Sequence, residues 1–403
     1  MAENQTALTH DQANWLEAYA ELRGNFIADG LPSNHSYPTG LAEKARAIGA
    51  SVIYLPDPNS PNDEIALVLD PDLASVVISN SEQFNSHTKP YGGLPVIMNP
   101  NLMGFAWDMG LDGYLLNSDG EKHREQRDAI ENPLLRSALE RYQGSITNLA
   151  EEVVAEIGAQ EETFEVGQII RKVPFGTMCM LLDLNPDSKE AKELLDLVPD
   201  ITNFDGNPLA LMHSRDIISK FIGSKIENPD SISEEATVLR AILSARNKEG
   251  PSITDDDVKS LFVQIFLAGM ESTEALLTKA FIEHITGTAT SGATVPRIGR
   301  TAISNVELTD TQGSAWSFNE GQRVFVDLRA VDHLAEDSNP TLNFGRGDHH
   351  CPGRNLAANQ RIAFVNALKK SNLDWRGWSI YETEPGMSGL SANYSKVMVL
   401  PAT

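Results

Sequence analysis

Hydrophobic spacing divides the chain into a short β-rich start, a long helical middle and a later part where strands return. The apolar runs Ser51–Leu55 and Ile65–Leu69 are separated by Pro, Asn and Asp turn residues, which predicts two strands. Apolar residues recur at helical spacing from Asp119 to about Ala280, and strand patterns return over Val306–Val331 and Val397–Leu400. This order predicts a mainly α protein with a smaller β lobe.

One predicted helix, Asp255–Ile285, is unusually long and has small and polar residues at its centre. Thr254 followed three residues later by Asp257 is typical of a helix start. The centre, Ala268–Thr273, contains a glycine, which costs about 1 kcal/mol relative to alanine in a helix. It also contains adjacent Ser and Thr residues, whose hydroxyls bond to backbone carbonyls and bend helices. We therefore expect that this stretch has a role that compensates for its unfavourable effect on helix stability.

Residues Phe344–Gly353 place one thiol next to a glycine-built turn. Gly345 and Gly347 permit positive φ, and Pro352 is typical of the first turn of the helix that follows. Cys351 then lies at the positive end of a helix dipole, which predicts a thiolate of lowered pKa. We interpret Cys351 as the axial ligand of a haem iron, because an anionic sulfur favours O–O cleavage at such an iron.

Two other interpretations of this loop remain open. Cys351 is a buried structural cysteine in the first, since free cysteines are commonly buried. In the second, zinc is held by the residues from Asp348 to Cys351, although four adjacent residues do not easily surround one ion. The sequence also contains no second Cys/His cluster to complete such a site.

Composition and charge limit the partners. The 403 residues are 41% hydrophobic, and 32 basic against 56 acidic residues give a net charge of −24, which disfavours nucleic acid and anionic membranes. There is no run of 18 apolar residues, and the start of the chain is polar, so we expect a soluble, cytoplasmic protein. Cys179 lies in an apolar segment and is expected to pack in the core, which excludes a disulfide framework.

The pattern F-x-x-G-x-x-x-C-x-G, met by Phe344, Gly347, Cys351 and Gly353, resembles the haem-binding loop of the cytochrome P450 family. The resemblance implies a cytochrome P450-like fold in a single domain spanning 1–403, or about 10–400. Its β-rich portions would lie near 50–80, 298–331 and 394–400. It also implies haem b, with its iron on Cys351 and with Phe344, Gly345 and Gly353 at the cofactor.

The same resemblance assigns the centre of the long helix to the family's oxygen-binding groove. Ala268 and Gly269 would leave room above the iron, while Glu271 and Ser272 would be the acid and alcohol that deliver protons to dioxygen. The family usually has threonine at the alcohol position, so Ser272 is a departure, and Thr273 would substitute only if the helix rotated. The alternative is an ordinary buried helix carrying one exposed Glu.

Four residues are implied as contacts to the haem propionates. His123 and Arg127 share one face of a predicted helix that opens at Asp119 and together suit an anion. Arg300, near the start of a predicted strand, and His349, two residues before Cys351, match the other propionate contacts of the family. Without the haem context, His123 and Arg127 would be interpreted as a solvated basic face.

A further set of residues matches the stretch that roofs the family's substrate pocket, with packing into the core as the alternative. These residues are Met98, Met103, Phe105, Trp107 and Met109.

The chain departs from the family between the oxygen-groove helix and the haem loop. The E-x-x-R pair is absent, two helices are predicted to be missing, and Asp332-His333 replaces the family's usual Asn-Arg in a shortened meander. Loss of a whole buried ion network is close to neutral, whereas loss of one partner costs about 3–5 kcal/mol, so the joint loss is physically coherent. It also changes the face where electron donors dock in this family.

The main expectation is an oxidoreductase: a haem-thiolate monooxygenase that acts on a small or medium apolar metabolite with electrons from a ferredoxin and its reductase. The first alternative is a haem enzyme driven by peroxide, or one that rearranges its substrate without external electrons. The second alternative is a haem-binding protein without turnover. The pairing of Glu271 and Ser272 argues against a carrier, which needs no proton relay.

Overall fold

Helices make up most of the computed structural model, and strands a smaller part, as the hydrophobic spacing predicts. The structure describes residues 16–21, 23, 39–57, 60–86, 115, 118–202, 208–246, 253–288, 295, 297–328, 330–331, 342–384 and 396–401. The described residues divide into two compact units. The first contains those up to Asn85 and those from Arg297 to Asp348, and the second contains those from Ser86 to residue 288, residue 295 and those from His349 onward. The expectation of a single domain stays a prediction.

The strands lie in both units. They are β1 (Val52–Asp57), β2 (Ser60–Val68), β3 (Phe84–Asn85), β4 (Phe164–Glu165), β5 (Arg297–Ala302), β6 (Val306–Thr309), β7 (Ala315–Phe318), β8 (Arg323–Asp327), β9 (Ser379–Glu384) and β10 (Lys396–Leu400). The first unit contains a five-stranded sheet of order β1-β2-β8-β5-β3 and the β6–β7 hairpin, and the second contains a three-stranded sheet of order β4-β10-β9. Strands β1 and β2, β5 to β8, and β10 fall in the regions near 50–80, 298–331 and 394–400, whereas β3, β4 and β9 lie outside them.

The sheet of the first unit is held by apolar side chains of its central strands. Strands β2 and β8 run parallel, and β8 pairs antiparallel with β5, with Arg300 opposite Val324. Residues 65–68 of β2 and 324–326 of β8 are buried, in keeping with their apolar sequences, which are rich in Val, Ile, Leu and Phe. Phe84 and Phe318 meet edge to face at 5.4 Å between ring centroids.

The helices are α1 (Thr39–Ala47), α2 (Pro71–Ser79), α3 (Gly120–Glu131), α4 (Arg136–Leu139), α5 (Gln143–Gly158), α6 (Val166–Ile170), α7 (Lys172–Leu182), α8 (Lys189–Thr202), α9 (Pro208–Glu227), α10 (Thr237–Arg246), α11 (Asp255–Thr286) and α12 (Arg354–Lys370). Helices α3 to α12 lie in the second unit, which also contains the larger core.

Helix α11 is the long helix predicted from the sequence and runs through the core of the second unit. The predicted start is confirmed as a full capping box, in which Thr254 Oγ1 accepts from the Asp257 N–H and Asp257 accepts from the Thr254 N–H. The helix ends at Thr286 and is capped by Gly287, which adopts the left-handed conformation (φ 65°). By length and composition α11 would suffice to cross a membrane, but 67% of its most apolar window is buried inside the protein, as in a core helix.

Candidate active site

The glycines of the predicted haem loop adopt the backbone conformation expected of them. Gly345 and Gly347 have φ of +66° and +64°, and the Gly345 N–H donates to the Leu342 carbonyl at 2.8 Å. A Cβ on Gly347 would lie 2.8 Å from the Ser79 carbonyl oxygen, so this position accepts no side chain. Phe344, at the start of the motif, is half-buried.

Two side chains fix this part of the loop within the first unit. Arg346 Nη1 donates to Ser75 Oγ at 2.7 Å, and Ser81 Oγ donates to Asp348 Oδ2 at 2.8 Å. Both contacts tie the turn to α2 or to the residues that follow it, which limits the conformations open to the loop.

Cys351 lies in the second unit, three residues before α12. Burial raises the pKa of its thiol, while the backbone N–H groups of Gly353 and Arg354 and the charges of Arg127 and Arg354 lower it. The net direction is upward, so the lowered pKa predicted from the helix dipole is wrong: desolvation by burial outweighs the N–H groups and the guanidinium charges. Helix α12 begins at Arg354 with Gly353 as its cap, slightly later than predicted.

The surroundings of this sulfur fit a thiolate ligand of haem iron. Backbone N–H donors and guanidinium groups stabilise an anionic sulfur once it is formed, and a bound metal ion deprotonates a coordinating thiol outright. Cys179 shows the contrast, because burial alone raises its pKa to about 12 and its thiol packs in the core, as predicted. Among the described residues, no group of three or more His, Cys, Asp or Glu side chains is placed to hold a metal ion.

Two predicted propionate contacts, His123 and His349, lie side by side. Their ring centroids are 4.1 Å apart, and His123 is 3% exposed. His349 Nε2 lies 3.0 Å from Asp119 Oδ1 and 3.0 Å from Ser86 Oγ. Sequence reasoning did not assign a role to Asp119, although its position four residues before His123 was visible.

Only 12% of the Arg127 side chain is exposed, and His123 is buried, so a solvated basic face is the wrong description of these two residues. Its guanidinium donates through Nη1 to the His350 carbonyl, and Nη2 lies 3.4 Å from Glu131 Oε1. Arg127 therefore contacts the segment that carries Cys351. Its role at a propionate stays a prediction.

The centre of α11 contains polar side chains that are buried or bonded to the helix backbone. Ser272 Oγ donates to the Ala268 carbonyl at 2.7 Å, which is the back-bonding expected of a hydroxyl at this position. Glu271 is 2% exposed and Thr273 is 4% exposed, so the alternative of an exposed Glu is wrong.

Gly269 has a packing reason to be glycine. A Cβ on this residue would lie 2.5 Å from the Met178 sulfur of α7. The missing side chain therefore lets α7 and α11 approach each other. The role of Gly269 in leaving room for oxygen stays a prediction.

Arg300 lies on β5 in the first unit, with 7% of its surface exposed. Its Nη1 donates to the Gly299 carbonyl at 2.8 Å. Arg300 is the fourth of the six residues of β5, so it lies within the strand and not at its start as expected. Its contact with a propionate stays a prediction.

Two polar contacts of α11 were missed by sequence reasoning. The Asp257 carboxylate accepts from Lys122 Nζ at 2.5 Å and from Gln126 Nε2 at 3.1 Å, which joins the start of α11 to α3. Near the centre of α11, Arg171 donates through two nitrogens to the two oxygens of Glu274, each at 3.1 Å. These contacts join residues far apart in sequence, so the sequence shows that acidic and basic residues are present but not which of them pair.

Some predictions fall on residues outside the described ranges. These are the pocket residues Met98, Met103, Phe105, Trp107 and Met109, and the meander residues Asp332 and His333. The described residues between the end of α11 at Thr286 and the start of β5 at Arg297 contain no helix.

Comparison with known proteins places the chain among distant relatives. No family model matches the sequence. A β-dihydromenaquinone-9 ω-hydroxylase of Mycobacterium tuberculosis is 23% identical over 309 residues, which is 67% of this chain and 61% of the relative. The chain thus matches less than two thirds of the length of this curated relative.

Solved structures match the fold over nearly the whole chain. A Mycobacterium marinum cytochrome P450 in complex with pseudoionone has a TM-score of 0.71 at 16% identity, covering 99% of both chains. A P450 monooxygenase bound to tirandamycin C has a TM-score of 0.70 at 16% identity, covering 90% of this chain and 97% of the other. The predicted cytochrome P450-like fold, mainly α with a smaller β lobe, is confirmed.

Proposed function

We propose that this chain, which has the cytochrome P450 fold, is a haem-thiolate monooxygenase that inserts oxygen into a small or medium apolar metabolite. The observation that carries the proposal is the Cys351 thiol, which receives N–H donors from Gly353 and Arg354 and follows the glycine turn of the motif in the chain. Haem b bound there would supply an iron centre at which dioxygen is reduced. Phe344, Gly345 and Gly353 would border the cofactor.

Proton supply is the part of the chemistry that the chain's own residues perform. Glu271 is buried on α11 next to Ser272, whose hydroxyl hydrogen is held by the Ala268 carbonyl. In that rotamer the hydroxyl oxygen accepts hydrogen bonds, and a χ1 rotation releases its hydrogen for donation. Glu271 would then replace the proton that Ser272 gives up.

Anion binding and electron supply complete the proposal. His123, Arg127, Arg300 and His349 would receive the two propionates, which suits two guanidinium groups and two imidazoles that are capable of donating hydrogen bonds to carboxylates. A ferredoxin and its reductase would supply electrons, and the enzyme would work in the cytoplasm. The relatives' names mention a dihydromenaquinone, pseudoionone and tirandamycin C, and this variety supports no substrate narrower than an apolar metabolite.

The ferrous carbonyl spectrum tests the haem-thiolate assignment. We expect the strongly red-shifted Soret band of a thiolate-ligated haem in the wild type and its loss in Cys351→Ala. Cys179→Ala is the matched control, because it removes a buried thiol without N–H donors of this kind and should leave the spectrum unchanged. A histidine-type carbonyl spectrum in the wild type would refute the assignment.

Turnover experiments test the reaction itself. A panel of apolar substrates is offered with ferredoxin, reductase and dioxygen, with peroxide alone, and with substrate alone. Product in the first arm supports the monooxygenase, whereas product only in the other arms supports the peroxide-driven or electron-independent alternative. Glu271→Gln should lower dioxygen-driven turnover by about 10²–10⁴-fold with haem content unchanged. Substrate-induced spectral shifts without product in any arm would favour the non-catalytic carrier.

A further inference from the structure

Asp119 occupies the cap position of α3 but does not cap the helix. An Asp at this position usually accepts a hydrogen bond from one of the first N–H groups of the helix. The Asp119 side chain makes no such bond to α3. Instead Oδ2 accepts from the Ser86 N–H at 2.9 Å, and Oδ1 lies 3.0 Å from His349 Nε2. The carboxylate is therefore committed to two partners outside its own helix.

This contact fixes the tautomer and the orientation of His349. A carboxylate only accepts hydrogen bonds, so Nε2 of His349 must carry the hydrogen. Ser86 Oγ, 3.0 Å from the same nitrogen, is a second partner. The ring is further limited by His123, which packs against it at 4.1 Å between centroids. His349 stands only two residues before Cys351, so its orientation bears directly on the thiolate segment.

We propose that Asp119 is a positioning residue of the haem site. It holds His349 through Nε2 and thereby fixes the position of the backbone from His349 to Cys351. The ring contact extends the same constraint to His123. The inference rests on the proposed function only in that Cys351 is taken to bind haem iron.

The site requires a carboxylate because both partners of Asp119 are donors. The Ser86 N–H and the His349 Nε2–H need two acceptor oxygens, and an asparagine amide has only one. Asp119→Asn therefore keeps one of the two contacts and Asp119→Ala keeps neither. Asp119→Ser offers a good helix cap but cannot reach both donors, so it separates a role in α3 from a role at His349.

The experiment uses the full chain loaded with haem and follows the ferrous carbonyl spectrum at neutral pH, with far-UV circular dichroism as the measure of fold. In Asp119→Ala and Asp119→Ser, we expect the thiolate-type Soret band to convert to the non-thiolate type about tenfold faster than in the wild type. This factor is typical of losing one buried hydrogen-bonded pair. The helical signal should stay constant meanwhile. Asp119→Asn should be intermediate, and Ser86→Ala should have the smallest effect, because it leaves the carboxylate contact in place.

Three outcomes decide the matter. Wild-type behaviour in Asp119→Ser would show that α3 needs only a cap and would overturn the proposal. A thiolate band that persists equally long in Asp119→Ala and Asp119→Asn would also overturn it. Absence of a thiolate band from the wild type would overturn both this proposal and the haem-thiolate assignment, so the two failures are distinguishable.

Discussion

Replacing Arg171 by Met should destabilise the protein by about 3–5 kcal/mol, because the change leaves a largely buried carboxylate, that of Glu274, without its cation. Arg171 and Glu274 are 16% and 17% exposed, and two parallel hydrogen bonds of 3.1 Å join them. Solvent therefore screens the pair little, and the full cost of a stranded charge applies. Glu274→Leu strands the guanidinium instead and should cost a similar amount.

The loss should depend on pH in a defined direction. Burial raises the pKa of Glu274 above its ordinary 4.5, Arg171 lowers it, and the charge of Glu165 raises it again. Removing Arg171 must raise this pKa further. A carboxyl whose pKa is higher in the folded state binds more protons there, so the free energy of unfolding falls as pH rises from about 4.5 toward the folded-state pKa. The Arg171→Met defect should thus be larger at about pH 8 than at about pH 5.

Denaturant unfolding followed by circular dichroism measures both effects. The double variant Arg171→Met/Glu274→Leu should be more stable than either single variant, because an apolar pair of similar volume leaves no charge behind. Lys172→Met is the matched control: its partner Glu156 and Lys172 itself are 40% and 46% exposed, so the loss should stay within about 1 kcal/mol.

Two results would refute this reasoning. One is an Arg171→Met variant as stable as the Lys172→Met control. The other is a double variant whose loss equals the sum of the single losses, since that would mean that the two groups do not interact in the folded protein.

Three further predictions follow from close contacts and hydrogen bonds. Gly269→Ala should lower the free energy of unfolding by about 1–3 kcal/mol, because the new Cβ would overpack against the Met178 side chain. The loss should be much smaller when Met178 is also replaced by Ala, and equal losses in the two backgrounds would exclude this clash. Gly347→Ala should lower the haem-to-protein ratio after purification, whereas Gly313→Ala, at φ +84° with nothing within 4 Å of its Cβ, should leave that ratio unchanged and cost only about 1–2 kcal/mol. Burial would raise the pKa of Asp257, but its hydrogen bonds lower that pKa below the ordinary 3.8. The contribution of Asp257 to stability should therefore be present above pH 3.8 and lost as the pH falls through the folded-state pKa. A stability difference between the wild type and Asp257→Asn that does not shrink in acid would contradict this.

The order of elements was predictable because it depends on local spacing. Helix α11 was expected over Asp255–Ile285 and ends one residue later, and the final strand over Val397–Leu400 begins one residue earlier. Capping residues and apolar periods act within a few positions, so one sequence is enough to place them. The parallel pairing of β2 with β8 depends on residues more than 200 positions apart and was not predicted.

The site was predictable in its residue types but not in its contacts. The loop motif identified Cys351, and the helix spacing identified His123 and Arg127. The pKa direction of Cys351 was predicted incorrectly, because the dipole is visible in sequence whereas the degree of burial is not. Asp119 was passed over for the same reason: its partner His349 is 230 residues away, and an Asp before a helix is ordinarily a cap.

The Asp257 carboxylate has a consequence for the dynamics of the second unit. Helix ends usually fray, and their amide hydrogens exchange with solvent long before those of the core. Here one carboxylate closes the first turn of α11 through Thr254 and also receives Lys122 and Gln126 of α3. The first turn of α11 therefore cannot open without releasing α3. The two segments should behave as one cooperative unit in native-state hydrogen exchange, so the helix that carries His123 and Arg127 opens at the rate set by the start of α11.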